Sequence, residues 1–144
     1  MNLACFPVQY QETYYKDVVE KYGEGLCKFA FFKEYVVGAA CARVENIVDS
    51  DRQRIYIMTL GVLAAYRGRG IGSQLIQSVL DHFEENKDTL YATVDEISLH
   101  VQISNDDAIK FYTEKFGFVK GEMVENYYKR IDPPHCFVLR KKVR

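Results

Sequence analysis

The stretch that most constrains this chain runs from Arg54 to Ile103. "RIYIMTLGVL" (54–63) is dense in β-branched and large apolar residues and short enough for a buried strand. "YRGRGIG", Tyr66 to Gly72, places two arginines and three glycines directly after it. "IGSQLIQSVLDHFEE" (71–85) then sets Ile71, Leu75, Val79 and Phe83 at steps of four, the apolar stripe of a helix. "EISLHVQI" (96–103) alternates, with Ile97, Leu99, Val101 and Ile103 on one face and Ser98, His100 and Gln102 on the other. Strand, glycine-rich turn, helix and strand form a crossover unit, which joins two parallel strands of one sheet.

The flanks extend this unit. "YQETYYKDVVEKYGEG" reads as a short helix beginning near Gln11 and stopped by Gly23 and Gly25. "LCKFAFF", two charged residues and "YVVGAACARVEN" read as a β-hairpin. "VDSDRQ" is a polar turn, and "NKDTLYATVDE" (86–96) reads as a surface loop of unassigned role. "SNDDAIKFYTEKFGF" is a helix with Ser104 or Asn105 as N-cap and Gly117 as terminator. "FVKGEMVENYYKRI" and "HCFVLRKKV" suggest two further strands around Pro133 and Pro134. The expected architecture is a single α/β domain over residues 1–144, with a mixed central sheet flanked by helices.

Charge and cysteine usage narrow the chemistry. The formal net charge of -1 gives no general pull toward nucleic acid or membrane. Cys5, Cys27, Cys41 and Cys136 form no CxxC pair and no His/Cys ligand spacing, which argues against zinc and against a disulfide framework. Cys27 and Cys41 sit in apolar stretches and read as small core residues. No apolar run approaches the roughly 20 residues of a membrane span, and the N-terminus lacks the pattern of a secretion signal, so an intracellular chain is expected.

Glycines at a helix entry let the backbone approach an anion, and the unpaired N–H groups there carry the positive end of the helix dipole. Arg67 and Arg69 would add charge. The dinucleotide fingerprint GxGxxG is absent, and no Gly-Lys-Ser/Thr follows as in a P-loop. "RGRGIG", Arg67 to Gly72, instead matches the pyrophosphate loop Gln/Arg-x-x-Gly-x-Gly/Ala of acetyl-CoA-dependent N-acetyltransferases. A bland alternative stays open at this point: a helix entry that needs positive φ and nothing more.

Three more segments agree with that loop in order and spacing: "FPVQY", "LHVQISNDDAIKFYTEKFGF" and "NYYKRIDP". Together they make the chain resemble the N-terminal acetyltransferases of the GCN5-related N-acetyltransferase superfamily over essentially its whole length. The resemblance implies that superfamily's fold, although only "MNLAC" precedes Phe6 here, which implies a sheet lacking its first strand and helix. It implies acetyl-CoA as cosubstrate, no metal, and the α-amine of Met-starting peptides with an apolar second residue as acceptor. Tyr56 and His100 are then the catalytic pair, acting through an ordered water, with Tyr112 giving a proton to the departing thiolate. The cofactor is implied to lie on Met58, Leu60 and Val62, on Arg67, Gly68, Arg69, Gly70, Ile71 and Gly72, and on Asn105 and Tyr112. Backbone N–H near Leu60 is the implied oxyanion donor. Phe6, Pro7, Val8 and Tyr10 form one wall of the peptide slot, with Tyr127, Tyr128 and Ile131 as the other.

On the residues alone, His100 reads as a satisfied strand histidine, Tyr56 as a core aromatic, Asn105 as a helix cap and Tyr112 as helix packing. The implied partners are nascent or free protein N-termini and the subunits of a larger N-terminal acetyltransferase complex, with no direct nucleic acid or membrane contact. The implied location is the cytoplasm, at the ribosome, with a nuclear fraction. A lysine acetyltransferase and a non-catalytic subunit of the complex remain the alternatives.

Overall fold

The computed structural model describes residues 19–22 and 25–144, with side chains from residue 25 onward. Phe6, Pro7, Val8 and Tyr10, and most of the helix expected from Gln11, lie outside the described residues. Seven strands are described, in the order β1-β2-β3-β4-β5-β7-β6. The chain divides into two compact units, Met1–Arg43 with Ile57–Ala92, and Val44–Tyr56 with Thr93–Arg144.

In the first unit, β1 (Val19–Tyr22) corrects the expected helix. Its residues pair antiparallel with β2 (Cys27–Phe32), Val19 opposite Phe29 and Glu20 opposite Lys28. A ladder partner supplied by the neighbouring strand outweighs the local helix signal, which no sequence window can register. The expected hairpin is present: β2 returns through Lys33 and Glu34 into β3 (Tyr35–Asn46), with Lys33 at positive φ. Helix α1 (Ile71–Glu85) buries Ile71, Leu75, Ile76, Val79 and Phe83, the stripe read from the sequence plus one neighbour. It packs closely on β3, where a Cβ on Gly38 would stand 3.1 Å from a Leu75 methyl. The 86–96 stretch is not all surface loop. Tyr91 is buried, stacks on Phe83 at 5.9 Å and shares a hydrogen bond of 2.8 Å with His82 Nε2.

In the second unit, the first residues of β4 (Gln53–Val62) run parallel to β5 (Val94–Gln102), with Tyr56 opposite Ser98. This is the parallel pairing that the crossover demanded. β5 also pairs antiparallel with β7 (Cys136–Lys142), and β7 with β6 (Val119–Val124). Helix α2 (Asp106–Lys110) is capped by Asn105, whose Oδ1 accepts from Ala108 N–H at 3.2 Å. It runs on as a π-helical turn, Phe111–Lys115, and Gly117 at φ +74 follows. β6 is shorter than expected. It ends at Val124, and Asn126 at positive φ turns the chain, so Tyr127, Tyr128 and Ile131 lie on a loop.

Candidate active site

The first unit holds the glycine-rich turn. After β4, Ala64–Tyr66 makes one 3-10 turn and buries the Tyr66 ring against Phe32. Tyr66 is thus an anchor beneath the turn and not part of its surface. Gly68 (φ +77) and Gly70 (φ +79) adopt left-handed backbone, and a Cβ on either would meet nothing within 4 Å. Gly70 is the N-cap of α1 and gives no side-chain cap, and the first turn of the helix contains no acidic residue. The positive end of the 15-residue helix's dipole is therefore met by no carboxylate from its own first turn. Arg67 donates from Nε to the Val62 carbonyl at 2.8 Å, and Arg69 lies over the Tyr66 ring at 5.4 Å. Both cations are thereby held at the turn. On the strand before it, Met58 is 43% exposed although apolar, and Leu60 and Val62 are half-buried on the same strand face.

The second unit holds the residues expected to carry acid–base chemistry. Period-2 alternation and the Tyr56–Ser98 register put Tyr56 and His100 on one face of the β4–β5 pair. Their contact is direct: Tyr56 Oη lies 2.6 Å from His100 Nδ1. Tyr127 completes the group. Its ring stacks on the imidazole at 4.3 Å and 15°, and its hydroxyl lies 3.2 Å from Tyr56 Oη. The loop that carries Tyr127 is tied to the end of β5. Gln102 Nε2 donates to the Pro133 carbonyl at 2.8 Å, Ile103 N–H to the His135 carbonyl at 3.1 Å, and Tyr128 N–H to the Pro134 carbonyl at 2.8 Å. Gln102 escaped the sequence reading as a site residue, although its alternation with His100 was the available signal.

Burial, followed by hydrogen bonding to Tyr127, pushes the Tyr56 phenol up, so it stays protonated at any physiological pH. Burial, followed by the Arg140 guanidinium, pushes His100 below the usual histidine value, so its imidazole is neutral at pH 7. A neutral Nδ1 can accept from Tyr56 O–H. Beside this group runs a row of opposite charges: Glu45, Arg54, Glu96, Arg140 and Glu122, with N–O separations of 3.9, 3.6, 3.5 and 2.6 Å in turn. Sequence reading missed the row, since its members come from five different strands.

The remaining expected residues divide clearly. Asn105 is the helix cap, with its side-chain oxygen already engaged. Tyr112 is buried, its ring edge-on to Phe118 at 5.5 Å, and burial pushes its hydroxyl up. Tyr128 packs edge-on against Tyr127 at 5.0 Å, while Ile131 is exposed and 49% accessible. Cys27 and Cys41 are half-buried, and they are not the fully enclosed core residues expected. Among the described residues no group of three or more His, Cys, Asp or Glu is placed to hold a metal ion, and no helix is long and apolar enough to cross a membrane.

Residues 1–118 match the family model described as "Acetyltransferase (GNAT) family". The chain belongs to this family. Its activity is acetyl-CoA-dependent acetyl transfer. It is 48% identical over 144 residues to N-alpha-acetyltransferase 50 of Danio rerio, covering all of this chain and 80% of that protein. It is 43% identical to the probable N-acetyltransferase san of Drosophila melanogaster, covering all of this chain and 73% of the relative. Among solved structures it resembles Arabidopsis thaliana Naa50 in complex with the bisubstrate analogue CoA-Ac-MVNAL, with a TM-score of 0.70 and 43% identity over 96% of this chain and 85% of that one. The glycine turn fits the cosubstrate of a GNAT enzyme. A pyrophosphate needs backbone donors, room and no competing carboxylate; among the described residues Gly68 and Gly70 leave room where a Cβ would stand, and the first turn of α1 contains no acidic residue.

Proposed function

We propose that this acetyltransferase acts on protein N-termini, taking the α-amine of Met-starting peptides with an apolar second residue as acceptor. The observation that carries the reading is the 2.6 Å contact between Tyr56 and a neutral, half-buried His100. An imidazole whose pKa is lowered is a weak base. It suits an α-amine of pKa ~7.7–8.0, of which roughly a tenth is already neutral at pH 7, far better than a lysine at ~10.4. The names of the Danio rerio relative and of the Arabidopsis thaliana complex, with its Met-Val peptide analogue, support the same acceptor class.

Acetyl-CoA supplies the acetyl thioester, and Gly68 to Gly72 with Arg67 and Arg69 hold its pyrophosphate. The neutral amine attacks the thioester carbonyl, the C–N bond forms and the C–S bond breaks. The proton released from nitrogen passes through an ordered water to the Tyr56–His100 pair. Tyr56 relays it and does not ionise, because its raised pKa makes the phenolate costly; the proton comes to rest on the imidazole. Burial likewise pushes the Tyr112 hydroxyl up, so it stays protonated and available as a donor. In this reading Tyr112 gives its O–H to the departing thiolate, the role that the resemblance implies. Tyr127 holds the imidazole plane by stacking and shares a hydrogen bond with Tyr56.

The test is acetyl transfer to three peptides: one starting Met-Leu, one starting Ser-Glu, and one with a blocked N-terminus and an internal lysine. Preference for Met-Leu is expected. Preference for the blocked lysine peptide overturns the reading.

A further inference from the structure

Cys27 and Cys41 are directly opposed across the β2–β3 ladder. Ala42 N–H donates to the Leu26 carbonyl at 3.0 Å, one residue to either side of the pair. That bond makes Cys27–Cys41 a non-hydrogen-bonded pair of the antiparallel ladder, the site type in which Cα atoms stand about 4.5 Å apart and side chains lie closest. The separation falls inside the roughly 4.4–6.8 Å range that a disulfide spans. Both cysteines are free and half-buried, so a small reagent has access.

We propose that Cys27 and Cys41 form a vicinal dithiol that closes reversibly to an intramolecular cross-strand disulfide when it meets a disulfide oxidant of the glutathione type. The electrons balance without a further reactant. One cysteine thiolate attacks a sulfur of the oxidant and releases one thiol. The other cysteine, deprotonated in turn, attacks the resulting mixed disulfide and releases the second thiol. The protein dithiol is oxidised by two electrons, and the oxidant disulfide is reduced to two thiols. Burial, with the neighbouring Cys27 sulfur, pushes the Cys41 thiol up to about 11. The ladder register places either sulfur to make the first attack and the other to complete the bond. Closure adds a covalent link in register with the ladder already present. The same hairpin supports the crossover unit, since Val37 C=O accepts Leu63 N–H at 2.9 Å on the strand that leads into the glycine turn. In a reducing compartment such a pair works as a transient redox element and not as a permanent staple.

The experiment treats the reduced full-length chain with oxidised glutathione, alkylates the remaining thiols and maps all four cysteines by mass spectrometry. The expected product is lighter by about 2 Da, links the peptides containing Cys27 and Cys41, and returns to the dithiol with dithiothreitol. Its melting temperature rises above that of the reduced form, and the rise is absent in Cys27→Ser. Should Cys27→Ser fail to fold, Cys41→Ala supplies the same control. Alkylation of both Cys27 and Cys41 after oxidation, or a glutathione adduct on one of them that the other does not displace, overturns the proposal.

Discussion

The two compact units assemble their candidate site residues by different means. The first offers backbone: left-handed glycines, open space and the uncapped start of α1, with arginines pinned beside it. The second offers side chains, namely a phenol, an imidazole and a second phenol locked by two hydrogen bonds and a stack, with their protonation shifted by burial and by Arg140. A binding cradle for an anion needs donors and room, which neighbouring residues supply. An acid–base pair needs two groups at hydrogen-bond distance, which only separate strands brought into register can supply. The first is therefore fragile toward any added atom, and the second toward any removed one.

Breaking the second unit should show the largest effect. His100→Ala removes the base and should lower kcat by ~10²–10⁴-fold, the usual contribution of general base catalysis, while acetyl-CoA affinity measured by calorimetry stays unchanged. An equal loss of affinity would erase the division between the two regions. Next is the reverse case. Gly70→Val puts a Cβ into the open space and a β-branched residue at φ +79, and should weaken acetyl-CoA binding by at least ~10-fold, or about 1.4 kcal/mol. At saturating acetyl-CoA its kcat should approach that of the parent, and a collapse of kcat would contradict a purely binding role. Tyr127→Phe keeps the stack on His100 but deletes the hydrogen bond to Tyr56. The expected cost is ~2–10-fold in kcat, the size of one ordinary hydrogen bond, and an unchanged rate would reduce Tyr127 to a wall of the slot.

The smallest effect is on pH dependence. His100 is depressed, so its neutral form persists below the usual histidine value, and the acid limb of the kcat/KM profile should lie below pH ~6.5. Arg140→Gln removes a cation that opposes the imidazolium, so the imidazolium becomes easier to form and the limb moves to higher pH. Burial, the larger cause, remains, so the shift should be partial. A limb that moves down, or stays fixed, would show that Arg140 does not reach His100 electrostatically.

Local sequence was a good guide wherever the determinant is local. The step-of-four stripe from Ile71 to Phe83, the Lys33–Glu34 hairpin turn, the Asn105 cap and the glycines after β4 were all legible, because each depends on residues within a few positions of one another. The crossover also announced that β4 and β5 run parallel, which brought Tyr56 and His100 to one face before any coordinates. It could not supply the 2.6 Å contact, which depends on the register Tyr56 opposite Ser98. Val19–Tyr22 misread as helix for the same kind of reason, since its partner Phe29 lies beyond any helical window. Tyr127 read as a strand residue, and only the ties from Gln102 and Ile103 fold its loop onto His100. The charge row across five strands, and the opposition of Cys27 to Cys41, belong with these. The sequence by itself determined the crossover unit, the glycine-rich helix entry and the family resemblance. Tertiary structure decided the contacts of the acid–base group and its protonation, because register and burial are properties of strands that meet in space and not of residues that follow one another along the chain.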